Sequence, residues 1–116
     1  VKKIYHLSTC NTCQRILKEL QPSEDVVLQD IKSSAITAQQ LEAMKALAGS
    51  YEALFSKRAR LYKEKELKNQ NLTEDDFKKY ILEHYTFLKR PVILVDDQIF
   101  IGNAAKTVAA AKEALA

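Results

Sequence analysis

The chain has 116 residues, of which 18 are basic and 15 acidic, giving a formal net charge of +3. That length holds one ordinary domain. The charge excess is mild and its signs are interspersed, so nothing calls for a nucleic-acid partner, although an anionic substrate or an acidic protein partner fits. No segment approaches the roughly 18 consecutive apolar residues of a membrane span. Val1–Leu7 lacks the apolar run and small-residue cleavage site of a secretory signal, so a cytoplasmic setting is expected.

In chain order, Ile4, Tyr5 and Leu7 mark a short buried strand over residues 2–7, ending at Ser8-Thr9. Cys10-Asn11-Thr12-Cys13 follows, and apolar residues at 13, 16, 17 and 20 have helical spacing up to Pro22. Residues 25–31 read as a second strand. Thr37-Ala38-Gln39-Gln40 has the pattern of a capping box and opens a helix with Leu41, Met44, Leu47 and Ala48 on its apolar face, closed by Gly49. The charged stretch 51–69 reads as one or two short helices. Thr73 caps another, with Asp75 and Asp76 favouring its dipole and Phe77, Tyr80, Ile81 and Tyr85 on its apolar face. Residues 92–95 and 98–101 form a hairpin about Asp96-Asp97, and an Ala-rich helix follows Gly102. A β-α-β unit, a helical middle and a closing β-β-α predict an α/β protein of thioredoxin-like fold: one domain over 1–116, a mixed sheet with helices on both faces and a helical insert at about 34–86.

The Cys-x-x-Cys pair carries the chemistry of this pattern. A strand-to-helix turn puts Cys10 at a helix N-terminus, where unpaired N–H groups and the dipole favour a thiolate. Cys13 lies one turn along the same face and can resolve a disulfide formed on Cys10. It also falls on the apolar face, where a plain core thiol would sit. A zinc site would need four ligands, and only His6 and His84 remain to join the pair. His6, four residues before Cys10, reads either as a packed strand residue or as a cation beside the thiolate. Pro91, directly before a central strand, is either a strand start or a cis-proline.

The residues Ile4-Tyr5-His6, Cys10-Asn11-Thr12, Arg58 with Arg60, and Lys89-Arg90-Pro91-Val92-Ile93 resemble the arsenate reductase (ArsC) family, in its glutaredoxin-coupled branch that includes the Spx-like regulators. The resemblance runs from residue 4 to about 112. It implies a redox-active thiol oxidoreductase in which Cys10 attacks an oxyanion or a disulfide and His6 keeps the thiolate ionised. Asn11, Thr12, Arg58 and Arg90 would bind the oxyanion. No bound cofactor is implied; glutathione with glutaredoxin, or thioredoxin, would return the electrons. The Spx-like alternative implies a Cys10–Cys13 disulfide switch that docks on RNA polymerase, with Lys57-Arg58-Ala59-Arg60 facing an acidic partner. Three positions depart from the arsenate reductase pattern. No proline precedes Cys10, a cysteine stands at position 13, and Gly102 occupies the place of a third arginine.

Overall fold

A computed structural model describes all of residues 1–116. The chain divides into two compact units, one of residues 1–34 with 90–116, the other of residues 35–89.

The first unit is built on a four-stranded sheet. Strand β1 (Lys2–His6) leads into helix α1 (Asn11–Leu20), and the chain returns as β2 (Val27–Asp30), parallel to β1. The sheet order is β2-β1-β3-β4, with β3 (Val92–Val95) antiparallel to β1 and hairpinned to β4 (Gln98–Ile101). Strand residues of one parity share a face, so the register aligns Ile4, Ile93 and Phe100 in a single row. Ile16 and Leu20 of α1 close over that row together with Val108 and Ala111 of helix α5 (Ala105–Leu115). This mixed sheet with its flanking helices is the thioredoxin-like arrangement expected from the element order.

Some boundaries move for local reasons. β2 starts at Val27 rather than residue 25, because a Ser23–Val26 turn uses the preceding peptides. α1 ends one residue before Gln21, which takes a left-handed conformation and donates its N–H to Leu17 O, so Pro22 lies beyond a helix already closed.

The second unit holds helices α2 (Ala38–Ala48), α3 (Arg60–Glu64) and α4 (Glu74–Glu83), with 3-10 turns at Glu52–Leu54, Leu67–Asn69 and Tyr85–Phe87. Thr37 and Thr73 each close a capping box, with Gln40 and Asp76. α2 buries Leu41 and Met44, whereas Leu47 is exposed. At 3.6 residues per turn, Leu47 stands about 100° around the helix from Ala48 and leaves the apolar stripe. Tyr85 falls outside α4, in the 3-10 turn that follows it. Phe55 centres this unit, stacked on Phe87 at 5.4 Å and tilted against Phe77 at 4.8 Å. No helix is long and apolar enough to cross a membrane.

Ile4 is completely buried, whereas Leu28 on edge strand β2 is 48% exposed. Ile4→Ala is expected to cost roughly 2–5 kcal/mol. Leu28→Ala should change stability by less than about 0.5 kcal/mol. Urea unfolding of the two variants checks this, and equal shifts would contradict the core assignment.

Candidate active site

β1 ends at His6, and a tight turn joins it to α1. The Cys10 N–H donates to Leu7 O at 3.0 Å, which closes the turn over exposed Ser8 and Thr9. Cys10 is the N-cap of α1, with extended backbone at φ −95° and ψ 115°. It makes no side-chain capping hydrogen bond. Its sulfur nevertheless lies in the field of the first helical N–H groups, so the helix start acts on it electrostatically.

The two thiols are unequal. Cys10 is half-buried, Cys13 only 1% exposed, and both are free. Partial burial pushes the Cys10 thiol up, but the Cys13 backbone N–H, the Cys13 thiol, the Thr12 N–H and the Arg90 charge outweigh it. The net effect is a lowered pKa. Cys13 is pushed up to about 11, chiefly by burial, with the neighbouring Cys10 adding to the shift against the lowering effects of the Leu7 backbone and Arg90. The Cys13 S–H therefore stabilises the Cys10 thiolate, and Cys10 carries the charge of the pair.

Arg90 reaches both sulfurs electrostatically. It precedes β3, and its peptide bond to Pro91 is cis. Asn11 is the exposed first residue of α1, and Thr12 beside it is half-buried. His6 is half-buried at the end of β1, opposite Asp30 of β2. Its Nδ1 is buried without a hydrogen-bond partner, and its carbonyl accepts the Ile31 N–H at 2.9 Å. The structure thus brings together Cys10, Thr12, Cys13 and Arg90. Arg58 belongs to the second unit, on an exposed turn whose Ser56 O accepts the Ala59 N–H at 3.4 Å. No cluster of three His, Cys, Asp or Glu side chains is arranged for a metal ion.

The model of the ArsC family matches residues 5–111, nearly the whole chain. The chain belongs to the ArsC family. Among curated relatives of this ArsC chain, the global transcriptional regulator Spx 2 of Bacillus anthracis is 26% identical over 102 residues, covering 85% of this chain and 77% of the relative. The arsenate reductase of Haemophilus influenzae is 28% identical over 110 residues, covering 90% and 93%. Among solved structures, the protein YffB superposes with a TM-score of 0.79 at 21% identity, over 100% of both chains.

Gly102 has a structural use in this ArsC chain. It holds φ +94°, a region L side chains rarely adopt, and donates its N–H to Pro91 O at 2.9 Å. Two residues of the site escaped the sequence reading. Asp30 accepts the Ser8 N–H at 3.1 Å. Gln14 Nε2 donates to Ser8 O at 2.8 Å. An Asp at a strand end before Lys32-Ser33 is a recognisable turn signal, since its carboxylate takes the N–H two residues on. Its reach to Ser8, 22 residues away, is set only by strand pairing.

A titration of thiolate absorbance should show a first step below the ordinary free-thiol range and a second near 11. The alkylation rate of Cys10 should rise with pH through that first step. Arg90→Ala should move the first step upward, because a favourable positive charge is lost. Two coincident steps at the ordinary value would contradict the asymmetry.

Proposed function

We propose that this ArsC-family chain is a thiol-dependent oxidoreductase in which the Cys10 thiolate attacks a small oxyanion of the arsenate type or a disulfide. The observation that carries this reading is the unequal pair: a half-exposed Cys10 with a lowered pKa at a helix start, above a buried Cys13 held as a thiol. The arsenate reductase relative supports the oxyanion as the substrate class.

On arsenate, attack by Cys10 displaces one oxygen as water and forms a sulfur–arsenic(V) bond. A second thiol, from glutathione, attacks the Cys10 sulfur. The sulfur–arsenic electron pair then leaves with arsenic, which departs as arsenite, and Cys10 is left in a mixed disulfide. Two thiols thereby supply the two electrons. Glutathione with glutaredoxin, or Cys13 followed by an external dithiol, returns Cys10 to the thiolate and carries the disulfide away. The Thr12 and Cys13 N–H groups and Arg90 stabilise negative charge at the reacting centre, and Asn11 lines the exposed approach. Such exchange suits a reducing, cytoplasmic setting.

The Spx 2 relative and the cysteine at position 13 favour a second reading, a redox-controlled regulator that docks on RNA polymerase. Oxidation there would join Cys10 to Cys13, giving two electrons and two protons to an oxidant such as a peroxide or a disulfide.

The deciding experiment is arsenate turnover coupled to glutathione and glutaredoxin, together with polymerase capture by the reduced and oxidised protein. Cys10→Ser should reduce turnover to background, and Arg90→Ala should slow it by about a hundredfold. Full activity in Cys10→Ser overturns the enzyme reading. Polymerase capture that depends on the Cys10–Cys13 disulfide, without turnover, establishes the second reading in its place.

A further inference from the structure

The turn that carries Cys10 has buried Leu7 at its start but no apolar anchor at its middle positions, Ser8 and Thr9, which are both exposed. It also has no proline to restrict it. Each freely rotating backbone residue there gives up conformational entropy on ordering. The structure meets that need from two sides. Asp30 Oδ1, from the end of β2, accepts the Ser8 N–H at 3.1 Å. Gln14 Nε2, one turn into α1, donates to Ser8 O at 2.8 Å. Both polar groups of one peptide residue are thus held by side chains from different elements.

Each clamp arm is itself fixed. The Asp30 carboxylate also accepts the Lys32 N–H and the Ser33 hydroxyl, each at 3.2 Å. Hydrogen bonds from the Ser8 hydroxyl and N–H, ahead of those from Lys32 and Ser33, hold its pKa down to about 2, so the acceptor stays charged at every working pH. Gln14 is tied by its own backbone N–H to Cys10 O at 3.1 Å. Its side chain therefore links Ser8, the second residue of the turn, to the first turn of the helix.

We propose that Asp30 and Gln14 are positioning residues for Cys10: by gripping Ser8 from both sides they set the Leu7–Cys10 turn and keep the Cys10 sulfur over the Thr12 and Cys13 N–H groups. They supply the rigidity that a proline before the cysteine would give. The proposal rests on the reading of Cys10 as the nucleophile.

Asp30 offers a test by sign. Acting through its charge alone, an anion near a thiolate raises the thiol's pKa, so removing it would make Cys10 more reactive. Acting through position, removing it makes Cys10 less reactive. Gln14→Ala removes the other arm with no change of charge, and alanine is the better helix former, so fold stability should hold.

The experiment measures the pH dependence of Cys10 alkylation by iodoacetamide, read at that cysteine by peptide mapping with Cys13 left in place, for the parent, Asp30→Ala, Asp30→Asn and Gln14→Ala. Thermal unfolding is followed on the same samples. In Asp30→Ala and Gln14→Ala the rate at neutral pH should fall by about three- to tenfold and its midpoint should move up. Asp30→Asn keeps an oxygen for the Ser8 N–H and should retain the parent rate. A parent Cys10 with an ordinary thiol midpoint overturns the nucleophile reading itself. An acidic parent Cys10 whose rate is unchanged or faster in Gln14→Ala and Asp30→Ala overturns the clamp alone. Should Asp30→Ala fail to fold, Gln14→Ala decides by the same criterion.

Discussion

The peptide N–H groups that open α1 have no partners inside the helix, and their dipoles point toward the end of β1. Only a residue in the Leu7–Cys10 turn can meet them, and the structure puts a sulfur there. The other features of the site depend on this junction. The sheet register fixes where β1 ends, the turn fixes the cap, and the cap fixes the sulfur. The core that joins Ile4 to Ile16 and Ile93 keeps strand and helix in that relation.

The same geometry explains why one helix turn yields two different thiols. Cys10 sits at the helix end, where dipoles converge and solvent still reaches it. Cys13 has turned inward with Ile16 and Leu20, where a thiolate would lose its hydration. Arg90 is within electrostatic reach of both, but its favourable charge does not overcome the burial of Cys13. A nucleophile with an inert neighbour is the arrangement that sulfur exchange needs in its resting state. Once Cys10 is in a mixed disulfide its negative charge is gone, and one cause of the raised Cys13 pKa goes with it.

The sequence was most legible where chemistry is local. The Cys-x-x-Cys spacing, the two threonine caps, the hairpin about Asp96-Asp97 and the glycine at the end of α2 follow from contacts within a few residues. Leu47 failed at the edge of a stripe, where a small helical rotation decides burial. Asp30 and Gln14 were not legible as site residues because their target is set by the pairing of β1 with β2, a contact of high sequence separation. Gly102 read as the loss of an arginine; its positive φ and its bond to Pro91 O show what the position requires of the backbone. Arg58 matched a pattern of sequence, but it stands in the second unit, on an exposed turn.

The central claim is that Cys10 alone is the reactive thiol of the resting protein. Its direct measurement is a peptide map of the native protein after a brief exposure to less than one equivalent of iodoacetamide at neutral pH, with the remaining thiols labelled by an isotopic form after denaturation. Thiolate populations separated by this much predict a first label on Cys10 over Cys13 by at least about a hundredfold. An even split between the two cysteines, or a first label on Cys13, would contradict the account.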